Sequence, residues 1–395
     1  MSKALWIDCS ASVKYRFHDE HPFHPVRLEL TESLLRMAGA LDESQMASPL
    51  PRSEAEAAVL KLHRKDYVAA VEALSRKHPY YADILKASEY GLQQDGDTPY
   101  FPGMHQAALQ IVAGTMAAAE AVMSGAARRA LHLAGGLHHA FPERASGFCV
   151  YNDAAAAIVR IREKYGARVM YVDTDVHHGD GVQWIFYTDP DVFTFSIHET
   201  GKYLFPGTGF THERGAAEGF GACLNLPMEP FTEDDSWLEC FETALEKAAA
   251  AFKPEVIVSQ HGCDAHAFDP LANIQCSMRI YREMPRMIRS VAERYAQGRW
   301  IAVGGGGYDH YRVAPRAWSL LWLEMSEHPL LKDIDETPAG GYLPFGWPPP
   351  EFKNVPANMP ETWLDDTTLW KPMPRRAEIT AANRRMLEHA LQHIG

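Results

Sequence analysis

The sequence predicts a single α/β domain in which helices cover both faces of a mostly parallel central sheet. Three observations support this prediction. Short apolar runs typical of strands recur along the 395-residue chain, helical patterns lie between them, and several of these runs end directly in polar or glycine-rich segments. Large α/β enzymes of this length often form one domain. Since ligands bind at the carboxyl ends of the strands in open α/β sheets, we expect the active site there.

Six strand-like runs define the expected sheet. They cover residues 5–8, 130–133, 169–172, 192–197, 256–259 and 300–303. Helical patterns are expected through Leu28, Leu34, Leu35 and Leu41, and over residues 53–75, 104–124, 152–164, 234–252, 276–297 and 376–393. After about residue 338 the chain is proline-rich, which predicts an irregular surface segment. We therefore expect a catalytic part over residues 1–338 and a C-terminal wrap over residues 339–395, packed on the same domain.

The composition is that of an ordinary globular protein, with 46% hydrophobic and 23% charged residues. A net charge of -13 argues against nucleic-acid binding, which needs a basic surface. The six cysteines include no C-x-x-C pair, so neither a disulfide framework nor a zinc ribbon is expected. Neither a signal peptide nor a membrane span of roughly 20 apolar residues is apparent. The sequence thus predicts a cytoplasmic protein with no nucleic-acid or membrane partner.

Residues 168–181, RVMYVDTDVHHGDG, place three acids and two histidines at the end of a predicted buried strand. Alternate side chains of an extended backbone lie on one side, so Asp173, Asp175 and His177 are expected to face the same way. Neighbouring carboxylates on one side of a strand repel each other unless a cation lies between them or their pKa values are pushed apart. Both arrangements are typical of functional sites, and a solvated loop with fortuitous charge is the alternative.

Asp175, His177 and the distant Asp264 could together bind a metal ion and leave a position open for water or substrate, as catalytic zinc requires. Two carboxylates neutralise Zn²⁺, so its bound water should be less acidic than at an all-histidine site. An additional base and an additional electrophile are then needed.

His138 and His139 follow a Gly-Gly bend at a strand end. They could deprotonate water and protonate a leaving amine if different carboxylates separated their pKa values. Asp173 and Asp180 are available as those carboxylates. A histidine pair on its own, however, more often satisfies a hydrogen bond in the core.

Four consecutive glycines, residues 304–307, precede Tyr308. They lack the lysine of a phosphate-binding loop, and no dinucleotide fingerprint follows them. Glycines permit unusual backbone angles and close approach, and these could deliver Tyr308 to the pocket as a donor to a developing oxyanion. A tyrosine after glycines is by itself more often structural.

Five motifs in this order together resemble the zinc-dependent histone deacetylase family of the arginase/deacetylase fold. The motifs are GGLHHAFPERASGFCVYND, YVDTDVHHGDGVQWIFY, FSIHETGKYLFPGTG, QHGCDAH and GGGGYDHY. The resemblance covers roughly residues 5–320 and is specific because the motifs occur together. The start, HPFHPVRLELT, and the tail after residue 338 are more similar to the bacterial AcuC-type acetoin-utilisation deacetylases.

The resemblance implies a role for each candidate. The zinc ligands would be Asp175, His177 and Asp264. The acid–base pair would be His138 and His139, with Asp173 as partner of His138 and Asp180 as partner of His139. Tyr308 would polarise the substrate carbonyl.

The resemblance also implies binding positions around this centre. A potassium ion would lie among Asp173, Asp175, His177, Ser196 and Ile197, and its charge would offset the crowded acids. Gly147, Phe148 and Phe205 would line a narrow tunnel for the acetyl-lysine stem, Asp97 would grip the substrate backbone, and Arg27 would line an internal acetate channel. The loop after Asp264 departs from class I enzymes at His266 and Phe268, which bear on the specificity of the rim.

The expected function is zinc-dependent hydrolysis of the acetamide of acetyl-lysine in a protein or peptide partner. One alternative is deacetylation of small amines such as acetylpolyamines. A manganese ureohydrolase of the arginase type is more distant, because a second full set of metal acids is not found in the sequence. A binding protein that reads acetyl groups without cleaving them would have no use for the complete set of ligands, base and tyrosine.

Overall fold

The computed structural model of the protein describes residues 2–394, and the predicted α/β fold is confirmed. The strands are β1 (Ser2–Ile7), β2 (Met46–Ala47), β3 (Ala127–His132), β4 (Val169–Asp173), β5 (Val192–Glu199), β6 (Cys223–Met228), β7 (Val256–Gln260) and β8 (Trp300–Val303). They form one sheet in the order β2-β1-β3-β8-β7-β4-β5-β6. Every neighbouring pair within the described residues is parallel, so this sheet is wholly rather than mostly parallel.

Helices connect the strands and cover the sheet. They are α1 (Val26–Met37), α2 (Arg52–Leu62), α3 (Lys65–Leu74), α4 (Tyr81–Ile84), α5 (Met104–Met123), α6 (Asp153–Tyr165), α7 (Asp180–Ile185), α8 (Asp234–Phe252), α9 (Met278–Tyr295), α10 (Ala314–Ser326), α11 (Leu330–Glu336) and α12 (Arg376–Leu391). Among residues 2–394, no helix combines the length and the apolar character needed to cross a membrane.

Each face of the sheet has its own hydrophobic core. Side chains alternate along β4, so Met170 and Val172 lie in one core while Val169 and Tyr171 lie in the other. The larger core includes α8, α9 and α10, and the smaller one is closed by alanine-rich parts of α5 and α6. Burial on both faces explains why the central strands are continuous apolar runs in the sequence.

Local sequence signals explain where two of the helices begin. Asn152 precedes α6 and accepts a hydrogen bond from Ala155 N (3.0 Å), and Ser277 precedes α9 and accepts one from Arg279 N (3.2 Å). A side-chain oxygen at this position satisfies a backbone N–H that has no partner inside the helix. The chain therefore turns from a loop at the carboxyl edge of the sheet into a helix at a defined residue.

The prediction of one helix over residues 53–75 is wrong. The segment divides into α2 and α3 because the backbone is extended at His63 (ψ 150°) and Arg64 (ψ 138°). His63 is buried, its Nε2 accepts from Asn152 N (3.2 Å), and its Nδ1 lies 2.9 Å from Phe141 O. The break thus directs His63 into the loop after β3, a long-range interaction that helical periodicity does not reveal.

Besides the short elements β2, α4, α7 and α11, the strand β6 and the helix α10 were not predicted. β6 contains Pro227, a residue that argues against a central strand, but β6 lies at the edge of the sheet and pairs with β5 alone. α10 has 12 buried residues among its 13, so it lacks the polar face of an amphipathic helix. In both cases the position in the fold explains why the local pattern was uninformative.

The residues after 338 lie against the rest of the domain. The segment before α12 is irregular, and Trp363 within it is buried. α12 packs on β6 and α8, where Asn383 Nδ2 donates to Thr232 Oγ1 (2.8 Å) and Ser236 Oγ (2.9 Å). An irregular segment and a last helix thus follow residue 338.

Candidate active site

Three side chains that can bind a metal meet beyond the carboxyl ends of β4 and β7. Asp175 and His177 follow β4, and Asp264 follows β7. His177 Nδ1 lies 3.2 Å from Asp175 Oδ1 and 3.1 Å from Asp264 Oδ2, and one ligand atom from each residue lies within 4.8 Å of the others. All three residues are buried. The structure therefore brings together the two carboxylates and the imidazole that the sequence suggested as ligands.

The backbone bends at residues 175–177 after β4, so the extended conformation predicted for Asp173, Asp175 and His177 is wrong. β4 ends at Asp173, whose Oδ1 accepts from Asp175 N (3.1 Å), and Asp175 Oδ1 accepts from His177 N (3.0 Å). Short acidic side chains bind backbone N–H groups two residues further on and thereby stabilise turns. Asp175 and His177 consequently stay together, while Asp173 Oδ2 contacts His138.

Two buried acids in one cluster require a positive partner. Burial and the nearby charge of Asp175 raise the pKa of Asp264 to about 6. Burial lowers the pKa of His177, but hydrogen bonds to Asp175 and Asp264 outweigh it and raise the value to about 10. Positive charge between the two acids is thus favoured, and a divalent cation held by the same three side chains supplies it. Donor types and charge both fit such an ion with an open coordination position.

Glycines after β7 and β8 allow the backbone to approach these carboxylates. Gly306 N donates to Asp175 Oδ2 (2.6 Å). A Cβ at Gly306 would press on Asp264 Oδ2 and lie 2.9 Å from Asp175 Oδ2, and a Cβ at Gly262 would press on Asp175. A larger residue at either position would displace a carboxylate. The sequence predicted that the glycine loop allows a close approach of the backbone. It did not predict that the approached groups are the carboxylates of the acid cluster.

His138 and His139 lie side by side, with ring centroids 3.9 Å apart. His138 Nδ1 lies 2.8 Å from Asp173 Oδ2, and His139 Nδ1 lies 2.7 Å from Asp180 Oδ1. The opposite nitrogen of His138, Nε2, lies 4.0 Å from Asp175 Oδ1. The structure thus brings each histidine to the carboxylate that the resemblance assigned to it, and directs His138 Nε2 toward the candidate metal ligand Asp175.

Their surroundings separate the pKa values of the two histidines. Burial lowers the pKa of His138, but the charges of Asp173 and Asp175 outweigh it and raise the value to about 9. Burial and the adjacent charge of His138 lower the pKa of His139 to about 4. A cation at the acid cluster would lower the pKa of His139 further, so this ring is neutral at neutral pH in either state.

Tyr308 follows the glycine loop and faces the cluster. Its ring centroid lies 6.4 Å from that of His177, and burial raises the pKa of the phenol well above its usual value, so the hydroxyl keeps its proton. The backbone N of Tyr308 donates to Asp269 Oδ2 (2.7 Å). Asp269 was not predicted, because an acid five residues after Asp264 carries no distinguishing sequence signal.

Aromatic side chains connect this buried centre with the surface. Phe148 packs edge-on against Tyr308 (5.8 Å between centroids), and Phe205 packs edge-on against His139 (5.0 Å). A Cβ at Gly147 would lie 2.9 Å from the ring of Phe205, so the backbone itself forms part of the wall. Phe205 is 42% exposed, whereas His139 behind it is 5% exposed. Phe205 thus lies between solvent and the histidine pair.

Asp97 lies at the surface, next to the backbone of Gly147 and Phe148. Its Oδ2 accepts from Gly147 N (3.1 Å) and its Oδ1 accepts from Thr98 Oγ1 (2.9 Å), while Thr98 Oγ1 accepts from Phe148 N (2.9 Å). Phe148 has a φ of +69°, a conformation that a bulky residue rarely adopts without such support. Asp97 therefore stabilises the backbone at Gly147 and Phe148.

Arg27 is buried, and it binds the glycine loop from behind. Its Nη1 donates to Gly307 O (3.0 Å), and its guanidinium lies over the rings of Phe23 (4.3 Å) and Trp318 (4.9 Å). Within residues 2–394 its Nε has no hydrogen-bond partner, and Arg27 lines a small internal cavity with Tyr15. A buried cation with a free N–H beside a cavity suits a small anion.

Ser196 and Ile197 lie in β5, beside the end of β4. Ser196 is paired with Asp173 in the register of the two strands, and its Oγ lies 2.8 Å from His198 Nδ1. Tyr171 was predicted only as a strand residue, yet its hydroxyl lies 2.8 Å from Asp173 Oδ2. Asp173 Oδ2 is thus contacted by both Tyr171 and His138, which a single strand pattern could not identify.

His266 and Phe268 differ in their exposure. Phe268 is 40% exposed, but His266 is fully buried, so the expectation that both residues bear on the rim is wrong for His266. The His266 Nδ1 accepts from Phe268 N (3.1 Å), and its Nε2 lies 2.8 Å from Asp365 Oδ2. Asp365 was not predicted because it lies 99 residues away in the sequence.

The family follows from comparison with known proteins. A family model described as the histone deacetylase domain matches residues 21–325, which include the acid cluster, the histidine pair and Tyr308. The chain belongs to the histone deacetylase family. As a member of this family it is a deacetylase and a hydrolase, and zinc dependence is general for histone deacetylases. The predicted resemblance is confirmed.

Individual histone deacetylase relatives match along their whole length. The acetoin utilization protein AcuC of Bacillus subtilis (strain 168) is 47% identical over 397 residues, which is 100% of this chain and 98% of the relative. AcuC of Staphylococcus xylosus is 42% identical, over 98% of this chain and 97% of the relative. Among solved structures, an HDAC homologue from Aquifex aeolicus has a TM-score of 0.78 at 28% identity, covering 98% of this chain and 100% of that one. An HDAC homologue complexed with SAHA has a TM-score of 0.79 at 29% identity, over 99% and 100%.

Proposed function

We propose that this deacetylase hydrolyses the acetamide of acetyl-lysine in proteins or peptides and releases acetate and free lysine. The observation that carries the proposal is the buried cluster of Asp175, His177 and Asp264 beside the histidine pair, with the partly exposed ring of Phe205 packed against His139. A slim alkyl stem that ends in an acetamide can extend past an aromatic wall, and its apolar methylenes favour contact with the rings.

Zinc is the proposed metal, with Asp175, His177 and Asp264 as its ligands. The chemistry that it supplies when bound is polarisation of the acetamide carbonyl and acidification of a water molecule. Because the donor set is rich in oxygen, Fe²⁺ and Co²⁺ are also compatible with it.

The protons are carried by residues of the chain. His139 Nε2 accepts a proton from water as the water oxygen attacks the carbonyl carbon, since Nδ1 is held by Asp180. The phenol of Tyr308 donates a hydrogen bond to the carbonyl oxygen as that oxygen gains negative charge. His138, whose Nδ1 is held by Asp173, lies beside His139 and next to the reaction. When the C–N bond breaks, the amine takes the proton from His139 and the second proton of the water, leaving a lysine cation and acetate.

Two further binding positions belong to the proposal. Arg27, with its unpaired Nε beside an internal cavity, is proposed to receive the acetate that leaves the site. A potassium ion is proposed among the five residues Asp173, Asp175, His177, Ser196 and Ile197. Its charge would offset the acids that this part of the fold concentrates.

The rim favours a peptide over a small amine. Asp97 is exposed, and a carboxylate that binds Gly147 N and Thr98 Oγ1 retains lone pairs for N–H groups of a substrate backbone. Phe205 and Phe268 are 42% and 40% exposed, and such aromatic surface suits the residues that flank a lysine in a chain. The second candidate, a deacetylase of acetylpolyamines, would use Asp97 to bind a cationic amine.

Kinetics with matched substrates test the choice. We expect a higher kcat/KM for an acetyl-lysine peptide than for N-acetylputrescine or N⁸-acetylspermidine. Asp97→Ala should lower kcat/KM for the peptide by about tenfold, which corresponds to the loss of one charged hydrogen bond. The same substitution should lower kcat/KM for the polyamines by a smaller factor. The neighbouring exposed acid provides a control, Asp95→Ala, which should leave all substrates unaffected. A preference for the polyamines would refute the peptide proposal and leave the deacetylase chemistry.

The biological setting is proposed from the same observations. An acetylated protein is the proposed partner and the cytoplasm the proposed location. The names of the AcuC relatives connect the enzyme with acetoin utilization. Residues 1–338 are proposed as the catalytic part, and residues 339–395 as the C-terminal wrap.

A further inference from the structure

We infer that Asp365, in the irregular segment before α12, is a positioning residue for the active site and acts through His266. The inference rests on the proposed function, which gives Asp264 and Tyr308 their roles. Asp365 lies outside residues 21–325, the span that matches the histone deacetylase domain, so the family model assigns it no part in the site.

Asp365 is the common acceptor for groups from three other parts of the chain. Its Oδ2 lies 2.8 Å from His266 Nε2 and accepts from Met278 N (2.7 Å), and its Oδ1 accepts from Arg316 Nη2 (2.9 Å). The side chains of His266 and Arg316 are 0% exposed, and that of Asp365 is 7% exposed. Buried donors of this kind are costly to leave unpaired, so the carboxylate is strongly held in one place.

The hydrogen bonds also fix the orientation of His266. Because Nδ1 accepts from Phe268 N (3.1 Å), Nε2 carries the ring proton and donates it to Asp365. The ring lies nearly parallel to that of Tyr281 (20° between planes) and edge-on to Trp370 (6.1 Å between centroids). Two aromatic rings and a hydrogen bond at each nitrogen therefore confine the imidazole. Through the bond from Phe268 N, the imidazole holds the backbone of its own loop.

That loop connects two parts of the proposed catalytic machinery. Asp264, a proposed metal ligand, lies two residues before His266, and Asp269, whose Oδ2 accepts from Tyr308 N (2.7 Å), lies three residues after it. A shift of His266 would be transmitted in both directions along five residues of backbone. The hydrogen bond from His266 to Asp365 thus supports the position of a metal ligand and, through Asp269, of the tyrosine.

A merely structural role for Asp365 makes a different prediction. If the residue only fastens the C-terminal segment through Arg316, its loss should lower stability and leave metal affinity and turnover of the folded protein unchanged. A positioning role should instead lower zinc affinity and kcat much more than it raises KM, because this loop carries Asp264 and Asp269 and is proposed to meet substrate only through Phe268 at the rim.

Asparagine at position 365 keeps the size of the aspartate side chain but replaces one acceptor oxygen by an NH₂ donor. For Asp365→Asn we expect zinc affinity, measured on the full chain by competition with a chromophoric chelator, to fall by at least about tenfold. We expect kcat on an acetyl-lysine peptide to fall similarly, with KM within about twofold. The matched control is Asp366→Asn, since this adjacent acid is exposed and binds Thr368 in its own turn. It should behave as wild type.

A second variant keeps the test decisive if asparagine impairs folding, and a double-mutant cycle tests whether Asp365 acts through His266. Asp365→Glu retains the charge for Arg316 but displaces the oxygen that binds His266, so affinity should still fall by about threefold or more. In a His266→Phe background, which lacks the ring donor, Asp365→Asn should change zinc affinity by less than about twofold. An equal loss in both backgrounds would show that Asp365 does not act through His266.

The outcomes separate this inference from the proposed function. Unchanged zinc affinity in folded Asp365→Asn and Asp365→Glu variants overturns the inference alone. Zinc binding by the wild type without turnover of any acetyl-lysine peptide overturns the proposed function alone, because the chelator competition needs no catalysis. A wild-type chain that binds no zinc overturns both.

Discussion

Replacing Gly306 by alanine changes the proposed metal site without altering any ligand. The added Cβ would lie 2.8 Å from Asp264 Cγ and 2.9 Å from Asp175 Oδ2, and it would press on Asp264 Oδ2. Carbon atoms in contact are normally about 3.5 Å apart, so Asp264 must move by about 0.7 Å or more. Catalytic groups tolerate only about 0.5 Å of displacement. We therefore expect zinc affinity to fall by about 10- to 100-fold and kcat/KM by about 100-fold.

Chelator competition and peptide kinetics measure these two effects, and thermal unfolding measures the stability of the same samples. Gly166→Ala is the control, because Gly166 has a φ of +64° and a Cβ there meets no atom of the described chain within 4 Å. It should lower stability by about 1 kcal/mol through backbone strain and leave zinc affinity unchanged. A Gly306→Ala enzyme that binds zinc within about twofold of wild type would refute the role given to the acid cluster.

Two substitutions test the proposed proton transfers. Tyr308→Phe removes the donor to the carbonyl oxygen, and we expect kcat to fall by about 10²-fold with little change in KM. Steady-state kinetics that show an unchanged kcat would remove Tyr308 from the mechanism. His139→Ala removes the group that receives and returns the proton, so kcat should fall by at least about 10²-fold while the zinc content of the protein is retained. Turnover at the wild-type rate would mean that the histidine pair is structural.

Much of the fold and of the site could be predicted because the informative residues lie next to regular elements. The buried strand over Val169–Asp173 is a recognisable apolar run, and the metal-binding candidates follow it directly. Since parallel strands end at one edge of the sheet, side chains after β3, β4, β7 and β8 were expected to converge. The proximity of Asp264 to His177 follows from that rule and not from their separation in the sequence.

The features that escaped prediction depend on contacts between distant segments. The helix break at His63 serves a hydrogen bond with the loop at Phe141. The bond between His266 and Asp365 joins a loop with a segment 99 residues away, and no local pattern announces it. The turn after β4 is local, but Asp175 and His177 satisfy an alternating pattern as well as a turn. Periodicity alone therefore could not decide between the two conformations.

Titration of metal into the stripped enzyme tests the central proposal most directly. Chelator-treated protein should not hydrolyse an acetyl-lysine peptide, and activity should return in proportion to added Zn²⁺ and reach its maximum at one ion per chain. This stoichiometry is expected because Asp175, His177 and Asp264 form the one such cluster found among residues 2–394. Full activity without any divalent ion, or a maximum reached only at two ions per chain, would contradict a single-metal deacetylase site.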